Sequence, residues 1–108
     1  MEKQEQMDTR QHTIQEAEKI ARMADILKVI AHPIRLKIVE GLQGGEERTV
    51  SYLAKYVNAE QSLVSHHLTK MKDKGVLLAK REGKHIYYQL ADERITKVFD
   101  CIGNCDFL

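Results

Sequence analysis

The stretch SLVSHHLTKMKDKGVLLAKREGKHIYYQL, residues 62–90, constrains the fold more than any other part of the chain. Val64, Leu68 and Met71 line one side of a helix of 3.6-residue period, and Ser62, Ser65, His66 and Thr69 line the other. Gly75 ends that helix. Two runs rich in apolar, β-branched and aromatic residues follow, at 76–80 and 85–90, with Glu82-Gly83 as the hairpin turn between them. In the second run Ile86, Tyr88 and Leu90 alternate with Tyr87 and Gln89, as a half-buried strand requires. The fold must therefore bury one face of a helix, leave its hydrogen-bonding face open, and set a hairpin beside it.

The rest of the chain supplies helices. Ile14, Ala17, Ile20, Ala21, Ala24, Leu27 and Ala31 recur at spacings of three and four, an amphipathic helix of roughly five turns. That is longer than one small core needs, so part of it is expected to pack on a second subunit. Residues 1–12 are polar and read as a tail or as the polar start of this helix. His32-Pro33 interrupts it, and Pro33 suits the first position of a new helix. Ile34, Ile38 and Leu42 run down one face of that second helix, Arg35 and Lys37 lie on others, and Gly44-Gly45 stops it. Thr49 is a suitable N-cap for a third helix with its stripe at Val50, Leu53, Ala54 and Val57. Asn58-Ala59-Glu60 is a short turn, and a fourth helix starts near Gln61. Asp92 can cap a last helix with Ile95, Val98, Phe99 and Ile102 inward and Gly103-Asn104 at its fraying end. The expected order is helix, helix, helix, helix, strand, strand, helix: a mostly α domain over residues 13–108 with one small β-hairpin.

A chain of 108 residues has room for one such domain. It contains no apolar run of the ~18 residues a membrane span needs. Its polar start lacks the apolar core of a secretory signal, which points to the cytoplasm. It carries neither a glycine-rich phosphate loop nor a paired-carboxylate pocket, so no enzyme is expected. The net charge is only +1, but the balance is local. Residues 66–85 hold six cations against two carboxylates, a net of +4, while residues 1–25 hold four cations against six carboxylates, a net of −2.

The third and fourth helices are separated by about three residues, the spacing of a helix-turn-helix, which presents the second helix outward. A polar-faced helix beside a basic hairpin predicts a winged helix-turn-helix: the helix enters the major groove and the wing lies on the backbone. Candidate DNA-binding residues are Gln61, Ser62, Ser65, His66, His67, Thr69 and Lys70 on the helix, with Arg81, Gly83 and Lys84 on the wing. His67 sits at the edge of the core face and is open to two readings, a phosphate contact or a packed, hydrogen-bonded histidine. The expected partners are double-stranded DNA and a second copy of the chain. A winged-helix protein–protein adaptor is the alternative.

LKVIAHPIRLKIVEGL and TVSYLAKYVNAEQSLVSHHLTKMKDKGVLLAKREGKHIYYQL together resemble the ArsR/SmtB family of bacterial repressors, over roughly residues 24–98. The resemblance implies a homodimer held by its first and last helices, a palindromic operator, and repression until an effector loosens DNA binding. It places base reading on Gln61, Ser62, Ser65, His66 and His67, and the wing tip on Arg81, Gly83 and Lys84. The family's usual sensory sites are incomplete here. The Cys-x-Cys of arsenic and cadmium sensors is missing from ERTVSYLA. The Asp-x-His of zinc sensors is Asp92 followed by Arg94, with Cys105 and Leu108 near the later His and Glu. Sulfide-responsive members have a cysteine in the second helix, and PIRLKIVEGL has none. Glu60 replaces the usual Ser before the fourth helix. Cys101 and Cys105 remain, four residues apart on one side of the last helix. Three readings stay open for them: a thiophilic metal or metalloid ion, which is the one candidate cofactor, a redox or reactive-sulfur switch, or no sensory role. The last would make the protein a constitutive repressor.

Overall fold

The computed structural model describes residues 2–97, 99 and 100, with side chains from Ile14 onward. Helix α1 runs from Glu2 to Ile30, through the expected boundary at residues 12–13 without a break. At 1.5 Å per residue it is about 44 Å long. Only its C-terminal end meets the rest of the domain: Ile30 is buried, and Ile26 and Val29 pack against the core. The stripe expected from the sequence lies elsewhere on the helix. Ile20 is 63% exposed and Leu27 44%, with Met23 beside them at 58%. Within one chain that face has no cover.

Helix α2 (Pro33–Gly41) is capped by His32, whose Nδ1 accepts the Ile34 amide at 3.1 Å, with Pro33 in the first turn. It buries Ile38 and Val39, and Leu42 just beyond it is also buried. A 3₁₀ turn at Gln43–Gly45 then leads into strand β1, Arg48–Thr49. Helix α3 (Val50–Val57) starts at Thr49, whose hydroxyl accepts the Tyr52 amide. Asn58 ends it in the left-handed region, at φ 57° and ψ 56°. The Asn58 amide bonds the Lys55 carbonyl and the Ala59 amide the Ala54 carbonyl, the two bonds of a Schellman cap.

Helix α4 (Gln61–Asp73) ends in the same device. The Gly75 amide bonds the Lys72 carbonyl, the Val76 amide bonds Met71, and Gly75 takes φ 79°. Val76 is fully buried, so the cap drops the chain straight onto the core before strand β2, Leu77–Glu82. Strand β3 is His85–Leu90. The hairpin turn is Gly83-Lys84, one residue later than Glu82-Gly83, because Glu82 still pairs with His85. Gly83, at φ 61°, is the first central residue of a two-residue turn, where a positive φ is needed. The sheet has three strands, not two: β1 pairs antiparallel with β3, Arg48 opposite Tyr88 and Thr49 opposite Tyr87.

The expected last helix starts as a 3₁₀ turn at Glu93–Thr96, capped by Asp92 onto the Arg94 amide, with Ile95 buried and Phe99 packed against the core. Val98, Ile102, Gly103-Asn104, Cys101 and Cys105 lie outside the described residues. No described helix is long and apolar enough to cross a membrane.

Candidate nucleic-acid interface

Helix α4 is fixed from below. Val64, Leu68 and Met71 are fully buried, each worth about 1.5–3 kcal/mol of transfer free energy. Their spacing turns Ser62, His66, Thr69 and Lys70 to solvent and leaves Ser65 half-buried at the flank. From Ser62 to Thr69 this polar face is ~10 Å long on a helix ~10–12 Å across. A B-DNA major groove is about 12 Å wide. The first helical bond joins the Val64 amide to the Glu60 carbonyl, so the amides of the first turn lie ahead of it. Glu60 holds the N-cap position, and its side chain makes no capping hydrogen bond to them. Gln61 is exposed, and its amide nitrogen donates to the Ser51 hydroxyl, tying the start of α4 to α3.

His67 is corrected. It is 6% exposed and sits behind the polar face. Its Nδ1 accepts the Arg35 Nε–H at 3.0 Å, and its ring lies 4.5 Å from that of His32. The packed reading is the one the structure adopts, and His67 is withdrawn from the DNA-facing set. Burial, then the charges of His32, Arg35 and His66, holds its pKa below the usual histidine value. A neutral ring is what this bond needs, because a protonated Nδ1 cannot accept. Arg35 also donates Nη1 to the Val29 carbonyl at 2.9 Å, so it links α1, α2 and α4. By helical spacing alone Arg35 falls on a side face of α2. Its partner is 32 residues away, and nothing local signals the bond.

On the wing, Arg81, Gly83 and Lys84 are exposed. Lys80 bonds Glu82 at 2.9 Å, which raises the Lys80 pKa and neutralises that pair. Arg81 and Lys84 have no ion-pair partner among the described residues and carry the wing's uncompensated positive charge. Arg48, on the strand beside the wing, sits 4.3 Å over the Tyr52 ring and 3.5 Å from Glu46.

The family's zinc position does not fit this chain. Arg94 grips both Asp92 oxygens, with Nη2 to Oδ2 at 2.6 Å. That bond, foremost, lowers the Asp92 pKa to about 2. A carboxylate already held by a guanidinium and a backbone amide is a poor first ligand, and Arg94 cannot be the second.

Two helices joined by three residues, the second with its polar face outward and a hairpin beside it, make this a winged helix-turn-helix. A family model described as bacterial regulatory protein, arsR family, matches residues 32–77. The transcriptional repressor PagR of Bacillus anthracis is 40% identical over 80 residues, 74% of this chain and 80% of that protein. Its crystal structure aligns with a TM-score of 0.69 at 34% identity, covering 80% of this chain and 98% of that one. The transcriptional repressor SdpR of Bacillus subtilis is 37% identical over 68 residues, 63% of this chain and 74% of that protein. A winged helix-turn-helix DNA-binding domain from Mycobacterium bovis, described as homodimeric, aligns with a TM-score of 0.67 at 28% identity, covering 82% and 81%. The chain belongs to the ArsR family of bacterial regulatory proteins, which are regulators of transcription and not enzymes.

Proposed function

We propose that this protein is a homodimeric transcriptional repressor that binds a palindromic operator through α4 and the wing. The observation that carries the reading is the division of α4. Three fully buried side chains hold the helix, and the opposite face offers hydroxyls, an imidazole and an ammonium that nothing in the fold uses. Short hydroxyls and His66 suit base edges, while Lys70, Arg81 and Lys84 suit phosphates. The uncovered Ile20, Met23 and Leu27 of α1 support a dimer seam, as does the homodimeric relative. A two-fold dimer would present two α4 helices to half-sites about 34–36 Å apart.

The test uses a duplex selected from random DNA. Arg81→Ala with Lys84→Ala should weaken binding to all sequences alike. It should flatten the salt dependence by about 0.9 log unit of slope per lost phosphate contact. An unchanged slope would remove the wing from the interface.

Release from DNA is the finer part of the proposal. Cys101 and Cys105 are four residues apart, and two soft thiolates suit a thiophilic metal or metalloid or reversible oxidation. Arsenite, Cd(II) or a sulfur oxidant should lower DNA affinity, and Cys101→Ser with Cys105→Ser should abolish the response. Equal release of that variant would make the thiols bystanders and the repressor constitutive with respect to them.

A further inference from the structure

Between α1, α2 and α4 lies a cleft of about 480 Å³ that shares only Lys70 with the DNA reading. Three helices line it: Asp25, Ile26, Lys28 and Val29 from α1, Arg35 from α2, and Lys70 and Lys74 from α4. Four cations face one carboxylate, a net of +3. Among the described residues, Lys28, Lys70 and Lys74 have no ion-pair partner, and neither does Asp25. Arg35 is the built part of this cleft. It is half-buried, and its guanidinium is oriented by the bonds to His67 and to the Val29 carbonyl. Those use two of its five N–H donors and leave three, two of them on Nη2, for another acceptor. A fixed planar fork ringed by flexible ammonium groups is how proteins hold phosphate-type oxyanions. Ile26 and Val29 form the cleft's apolar wall.

We propose that the cleft between α1, α2 and α4 is a binding site for a phosphate-type oxyanion of two or more charges, anchored by Arg35 and closed by Lys28, Lys70 and Lys74. An anion there would join α1, which carries the uncovered apolar stripe, to the helix that carries the polar face. Such a group has two sources, a free small anion or a backbone phosphate of bound DNA. The second rests on the DNA-binding reading; the first does not.

The experiment has one arm for each source and uses Lys28→Gln with Lys74→Gln, two exposed positions outside the groove-facing set. Lys37→Gln with Lys97→Gln, exposed elsewhere, controls for lost charge. Calorimetric titration of the DNA-free protein with pyrophosphate, at constant ionic strength, is the first arm. Binding should weaken about five- to tenfold in the cleft variant, the scale of losing two solvent-screened ion pairs, and stay unchanged in the control. The salt dependence of DNA binding is the second arm. A slope flattened in the cleft variant by about 0.9 log unit per lost contact, with no pyrophosphate binding, assigns the cleft to a DNA phosphate. Pyrophosphate binding with an unchanged slope assigns it to a free anion, and stands even if the protein binds no DNA. If the cleft variant matches wild type and control in both arms, the proposal is wrong.

Discussion

His66 and His67 are neighbours in α4 with opposite surroundings, and alanine at each should separate stability from DNA binding. His67→Ala removes an acceptor 3.0 Å from a guanidinium N–H and a ring packed 4.5 Å from His32. A hydrogen bond to a charged group contributes about 1.5–3 kcal/mol. The void left by a buried ring adds to this. Arg35 is only half-buried and regains some water, which offsets part of the loss. The expected cost is about 2–4 kcal/mol, a large share of a small domain's ~5–15 kcal/mol. Arg35→Ala should cost a similar amount, since it also releases the Val29 carbonyl. Their double mutant should show a coupling of about 1–2 kcal/mol, within the range for direct contacts. His66→Ala should stay within about 0.5 kcal/mol of wild type. Urea unfolding followed by circular dichroism, at one fixed protein concentration, measures all four. If His67→Ala keeps the wild-type midpoint yet binds DNA less well, His67 faces the groove and the packing account is wrong.

Three further outcomes follow from the same structure. The His67 pKa lies below its unfolded value, so stability is complete above the unfolded pKa of about 6.5. It declines as pH falls from there toward the folded pKa, and His67→Gln should remove that slope in thermal melts taken across the acid range. Asn58, at φ 57°, should accept glycine with little change, while Asn58→Val should cost about 1–2 kcal/mol by urea titration. Ile20→Glu with Leu27→Glu should leave the fold intact by circular dichroism and yield a monomer by sedimentation; a persistent dimer would move the seam off α1.

The helix-turn-helix was legible because its determinants are local. Thr49 caps α3, Asn58 and Gly75 supply the left-handed residues that end α3 and α4, and Val64, Leu68 and Met71 set which face of α4 is outward. All of these act within a turn or two of chain. What the sequence reading missed depends on distant partners. Strand β1 is two residues long, too short for any periodicity, and exists because Arg48 and Thr49 meet β3 nearly forty residues on. The seat of α1 on its own core is Ile26, Val29 and Ile30, a short patch masked by the longer stripe that faces outward. The Arg35–His67 bond joins two helices: a packed His67 is one of two readings open in its own segment, but its partner lies 32 residues away.

Selection of duplexes from a random pool, by the wild-type protein and by Ser65→Ala with His66→Ala, tests most directly whether the outward face of α4 reads DNA. Each good base contact contributes about 1–3 kcal/mol of discrimination. Wild type should enrich a two-fold symmetric site. The double mutant, with an unchanged urea midpoint, should bind that site at least about tenfold more weakly and enrich a relaxed consensus at the positions it no longer reads. The same consensus and the same affinity from both proteins would mean that this face of α4 does not enter the groove.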